Sequence, residues 1–200
     1  MNLDTEIKNS EQLIQWLDQK IDGLEIKSDD RSRIAGGCLD IALEHQKSIV
    51  LLSAHHLYGS AAALVRIIFE SYVRGIWLLY CASDKQLEQY KLDKLDKKFY
   101  ELIKEVEKHE AFKDGTLSYV KEKSWAAMNS FTHSGFHQVV RRNKDREISP
   151  NYTNDEIIDA IETANSCAIL TAIAIADIAN SVELAKEIFD RGMAYFKTKP

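Results

Sequence analysis

Two prolines in 200 residues, Pro150 and Pro200, leave almost nothing in this chain to interrupt a helix. A proline inside a helix costs about 3 kcal/mol and a glycine roughly 1 kcal/mol. There are only eight Gly, and Ala, Leu, Ile, Glu and Lys abound. No segment alternates apolar and polar residues with the period of a strand. The expected fold is therefore all-α, an up-and-down bundle of about six or seven helices joined by short connections.

Apolar periodicity and capping signals place the helices. The first covers about 5–22, with Gly23 as its stop, and the second runs from Ser28-Asp29-Asp30 to about His56. Gly36-Gly37 lies inside the second and marks a kink or a close approach. Gly59 closes it, and Ser60 caps a third helix over 61–82 that is apolar nearly all round, hence central. Ser83-Asp84-Lys85-Gln86 opens a charged surface helix to about His109. A fifth starts near Thr116 and is ended or bent by Gly135. The segment 142–151, holding Pro150, is the main loop. Thr153-Asn154-Asp155-Glu156 caps a second central helix to about 180, and a last helix reaches about 196. The expected organisation is one domain, 1–200, with helix 1–23 packed on a bundle over 28–197.

The formal charge is −5, so an anionic partner must be met by a local patch rather than by a global field. Cys38, Cys81 and Cys167 are far apart with no C-x-x-C pair, which reads as free thiols in a reducing cytoplasm. The first residues lack the basic and apolar regions of a signal peptide. The apolar window from Ala168 to Ala176 is short for a bilayer, and the third helix carries charges. No membrane partner is expected, and the expected location is cytoplasmic.

Three clusters carry chemistry. Arg66, Glu70 and Arg74 stand at i, i+4 and i+8 on the most apolar helix, where charges must be neutralised. They form either a buried ion network or the floor of a site, with an arginine aimed at an anion and Glu70 orienting it. Asn129, His133, His137 and Arg141 share one face if the backbone stays helical, with Thr132 beside them. The two histidines suit capping, acid–base work or, in the H-x-x-x-H spacing, a metal. Zinc would need a further ligand such as His55, His56 or Glu70. Arg141, Arg142, Lys144 and Arg146 make the densest basic cluster, either a solvated loop or a phosphate seat beside imidazoles. Gly-rich phosphate loops, nucleophile elbows and di-iron patterns are absent from the sequence, and no cofactor is expected.

The run from Gly59 to Glu70, small residues followed by Leu64-x-Arg66 and then Phe69-Glu70, resembles a motif of all-helical bacterial proteins. Asn129-x-x-Thr132-His133-x-Gly135 recurs in the same kind of protein. These are similar to HEPN domains (higher eukaryotes and prokaryotes nucleotide-binding). The resemblance spans roughly 30–180. It implies a helical bundle, often dimeric, that binds nucleotide or RNA. Many such proteins are metal-independent ribonucleases or toxins of conflict and phage-defence systems, and others are inactive interaction modules. It implies a homodimer here, with an antitoxin-like protein partner. The HEPN catalytic motif places a His a few residues after an Arg; here His133 and His137 precede Arg141 and Arg142. On this reading His133, His137 and Glu70 would serve catalysis without metal. Arg66, Arg74, Asn129, Thr132, Arg141 and Arg142 would bind. A non-catalytic module and a metal-dependent bundle enzyme using His133 and His137 stand as alternatives.

Overall fold

Helix α1 (Leu3–Ile21) starts where the Asn2 side chain accepts a hydrogen bond from the Asp4 amide. Helix α2 (Asp30–Ala54) is capped by the Asp29 carboxylate on the Ser32 amide. A sharp turn leads into α3 (Tyr58–Tyr80). There follow α4 (Asp84–Lys91), α5 (Phe99–Val106), a 3₁₀ turn (Glu110–Phe112), α6 (Thr116–Thr132) and α7 (Phe136–Val140). A hairpin of two-residue strands, β1 (Asn143–Lys144) and β2 (Glu147–Ile148), precedes α8 (Asn154–Ile178) and α9 (Val182–Lys197). The computed structural model describes residues 2–197; Met1 and 198–200, to which the expected domain extends, lie outside them.

The protein is a compact all-helical bundle, with nine α-helices among the described residues where the sequence suggested six or seven. Two breaks account for most of the difference. The charged helix expected from 84 to 109 stops at Lys91, where Asp93 adopts φ 53°. Aspartate tolerates this left-handed conformation, and the Lys94 amide folds back to Gln89 O at 2.8 Å to close the helix end. Lys97 and Glu105 then pin the restart, paired at 2.8 Å against Trp77. The second break falls at Ser134, with φ 53°. There the Gly135 amide returns to Ser130 O at 2.7 Å, and a Cβ on Gly135 would sit 2.5 Å from Ser130 Oγ. Only glycine lets the chain approach α6 so closely.

Smaller expectations also change. The reversal before α3 is made by His56, at φ 59°, and not by Gly59, which lies inside the first turn of α3. Helix α2 runs unbroken through Gly36-Gly37, and the close approach is made instead by Gly75 of α3 against Leu39. The main loop contains the small hairpin, whose turn places Asp145 at φ 53°.

Helices α2, α3 and α8 pack on one another and carry most of the core, with Leu39, Ile49, Ile68, Trp77, Leu78 and Ile161 fully buried. Burial of a side chain of this size is worth about 1.5–3 kcal/mol. Among the described residues, α8 has the length and composition to cross a membrane, contrary to the short window read from the sequence. Most of its apolar stretch is buried inside the bundle, where α8 packs against α1, α2, α3 and α9. Cys38, Cys81 and Cys167 are free thiols; Cys81 is only half-buried, and burial pushes the Cys167 thiol up to about 12.

Candidate functional site

Helix α6 lies along α3 and brings together two polar segments that are more than 60 residues apart. Arg66 Nε donates to Glu70 Oε1 at 2.8 Å, one helical turn along α3, and Nη2 reaches the same oxygen at 2.8 Å. The far side of the guanidinium crosses to α6. Its Nη1 donates to Asn129 Oδ1 at 2.6 Å and to His133 Nε2 at 2.7 Å. An arginine cannot accept, so His133 must present the lone pair of Nε2 and carry its proton on Nδ1. The guanidinium also lies over Trp125, 4.6 Å from the ring centroid, and Trp125 stacks on Phe99 at 5.0 Å.

The cluster is half-covered. Arg66 and Glu70 keep 19% and 26% of their side-chain exposure, whereas Asn129 and His133 are exposed. Thr132 turns inward and donates to Met128 O and Ala63 O at 2.9 and 3.1 Å, fastening α6 to α3. Arg74 does not join the ladder. Among the described residues Glu70 is engaged by Arg66 alone, and the charge of Arg74 acts on Cys38 and Tyr90.

The stripe from Asn129 to Arg141 is broken at Ser134-Gly135, which sends His137 and Arg141 elsewhere. They line a second feature, a groove of about 340 Å³ over α3 between α6 and α8. Arg141 is held there by Glu156, with Nε donating to Oε1 at 2.8 Å. Burial pushes the Glu156 carboxyl up, but bonds from the Thr153 amide and from Arg141 outweigh it and hold the group below the usual carboxylate range. Arg142 packs against Gly59, where an added Cβ would meet its Nη2 at 2.7 Å and the Tyr152 hydroxyl at 3.0 Å. Burial raises the Tyr152 phenol, and its hydroxyl oxygen is enclosed without a hydrogen-bond partner. His56 Nδ1 meets Tyr58 OH at 2.5 Å.

Sequence reasoning missed Tyr152, Glu156 and Asp159 as neighbours of His137. Glu156 carried a signal, but a local one: it reads as the closing member of the Thr153 capping box, which it also is. H-x-x-x-H does not form a helical pair, because its two histidines flank the break and the Nε2 of His133 is taken by Arg66. Among the described residues no three His, Cys, Asp or Glu side chains are grouped to hold a metal.

An all-helical bundle with an arginine–histidine–amide cluster on one flank of a central helix and a polar-rimmed groove on the other is the class that fold and site define. The chain belongs to DUF6988, a family of unknown function, whose model matches residues 39–198. No curated protein and no solved structure matches it.

Proposed function

We propose that this protein is a HEPN-like bundle that binds RNA or a nucleotide on the face formed by the end of α6, α7 and the hairpin. The carrying observation is a set of cations left open there. Arg142, Lys144 and Arg146 are exposed and have no ion-pair partner among the described residues. They follow α7 in the chain, where Phe136 is 77% exposed and His137 is exposed as well. Guanidiniums and ammoniums seat phosphates, and an exposed aromatic ring offers a base a stacking partner. Arg66 and Arg141 are already engaged by carboxylates and serve to hold His133 and the start of α8 in place.

If the bound RNA is cleaved, the chemistry needs no metal. One histidine takes the proton of the 2′-hydroxyl as that oxygen attacks phosphorus. A water in the same site gives a proton to the departing 5′-oxygen. His137, whose ring is exposed, is the group for the first role; His133 is held by Arg66 on the other flank of α3. We place such a protein in the cytosol as a homodimer with an antitoxin-like partner in a conflict or phage-defence system.

The test is fluorescence polarisation with a labelled single-stranded RNA, followed by gel analysis of the same RNA in chelator. The triple variant Arg142→Glu, Lys144→Glu, Arg146→Glu should weaken binding at least tenfold. Wild type should cleave, His137→Ala should not, and His133→Ala, on the other flank of α3, should retain cleavage. Equal binding by wild type and the triple variant overturns the reading. One observation favours a second reading, a non-catalytic interaction module: Arg66 spends nearly all its donors inside the protein. Binding without cleavage in wild type and in both histidine variants, with lower stability in Arg66→Ala, would select it.

A further inference from the structure

The groove beside the proposed RNA face owes its existence to small side chains. Helix α3 packs against both α6 and α8, while α6 and α8 touch each other little. Across that gap each helix contributes an alanine: Ala62, Ala127 and Ala160. Val65, Met128 and Phe131 complete the apolar part of the groove's lining.

The polar groups of the groove are sorted by position. His137, Arg141 and Tyr152 gather at the end near the hairpin, where Arg141 meets Glu156. Asp159 and Thr163 follow along α8, the latter roughly 10 Å from Glu156 at 1.5 Å rise per residue. Asp159 differs from Glu156 in having no hydrogen-bond donor on its carboxylate among the described residues. Partial burial raises this carboxyl, and the negative charges of Glu162, Asp155 and Glu156 raise it further. Asp159 is exposed at the rim of the groove, where its carboxylate is open to donors brought by a ligand. The Thr163 hydroxyl is spent on its own helix, donating to Asp159 O at 2.8 Å.

An ionised carboxylate only accepts. Among the bases, guanine presents two adjacent donors, N1–H and the 2-amino group, on its pairing edge. Adenine and cytosine offer a donor next to an acceptor, and uracil a single donor between two carbonyls. We propose that the groove seats a guanine base, its pairing edge on the Asp159 carboxylate and its faces against Met128, Phe131 and the alanines. The ribose end would then point towards His137 and the open cations. This assignment rests on the RNA-binding reading and makes it selective for guanine.

Isothermal titration with guanosine, which has no phosphate, isolates the base from the basic face. Guanosine should bind saturably. Inosine, lacking the 2-amino group, should bind about tenfold more weakly, and adenosine and uridine more weakly still. Asp159→Asn should lose at least tenfold for guanosine and erase the preference over inosine. Ala127→Leu, which fills the groove with a good helix former, should abolish binding with the circular dichroism spectrum unchanged. The rim position of Asp159 keeps the test decisive even if Ala127→Leu fails to fold. Equal affinity for all four nucleosides, no saturable guanosine binding, or binding of phenethylamine in preference to guanosine overturns the proposal. RNA binding through Arg142, Lys144 and Arg146 without base preference would sink this inference and leave the RNA reading standing. Guanosine binding without RNA binding would do the reverse.

Discussion

One guanidinium ties two distant parts of the chain. Arg66 makes four polar contacts, two to Glu70 and one each to Asn129 and His133, and lies over Trp125 besides. Arg66→Ala leaves Glu70 half-buried without its counter-charge and should cost about 1–3 kcal/mol in urea denaturation. Arg66→Lys keeps the charge but loses the planar fork, and should recover less than half of that loss. Full recovery by lysine would show that charge alone matters and that the fork to α6 does not. Much of this cluster was legible in the sequence. Arg66 and Glu70, like Asn129 and His133, are four apart on helices, so each pair had to share a face. The fates of Arg74, His137 and Arg141 were not legible. A ladder of three charges does not say which member the neighbouring helix will serve, and a helical stripe assumes a helix that Ser134 and Gly135 end.

At the scale of elements, caps and glycines decide where helices begin and how near they come. The N-terminus of α8 is closed by a reciprocal capping box between Thr153 and Glu156, with Arg141 on the same carboxylate. Thr153→Ala should cost about 1 kcal/mol. The folded-state pKa of Glu156 is depressed, so its contribution is present above the ordinary carboxylate range and fades as pH falls through the folded value. Melting curves across that acid range should fall less steeply in Arg141→Leu than in wild type; identical slopes would remove Arg141 from the account. Gly75 tests close packing instead. A Cβ there would lie 2.8 Å from the Leu39 side chain and 3.4 Å from Ala35 O, so Gly75→Ala should cost about 1–3 kcal/mol through overpacking of α2 on α3. Gly37→Ala, with open space around it, should be neutral or stabilising. Capping boxes at 83–86 and 153–156 were readable because they are local sequence patterns. The break after Thr132 was signalled by Gly135, but the one at Asp93 was not, because aspartate is no strong stop and is held in the left-handed region by its surroundings.

Across the whole molecule two polar staples hold different parts of the bundle, and they should fail separately. The first is the Arg66 cluster, joining α3 to α6. The second is largely buried and centred on Asn165 of α8, which is itself fully buried. Its Nδ2 donates to Ser10 Oγ and Tyr195 OH, both at 2.8 Å, and its Oδ1 accepts from Gln46 Nε2 at 2.8 Å. Tyr195 OH in turn donates to the buried Glu6 at 2.6 Å. This network draws α1, α2 and α9 onto α8. Helix α1 lies outside the stretch matched by the family model, yet it is fastened to that stretch from within the core. The network was invisible in the sequence, because Glu6, Ser10 and Gln46 look like members of solvated helix faces until tertiary contact buries them. Asn165→Leu replaces the hub with an apolar side chain and strips partners from groups that water cannot reach, at about 1–3 kcal/mol for each group orphaned. Terminal helices depend most on this hub, whereas α3 and α6 meet through Arg66, Thr132 and the core between them. Native-state hydrogen exchange on Asn165→Leu should therefore show α1 and α9 losing protection while α3 and α6 retain theirs. Arg66→Ala should show loss concentrated in α6. Uniform loss in both variants would mean that the bundle opens as one unit and that neither network has a territory of its own.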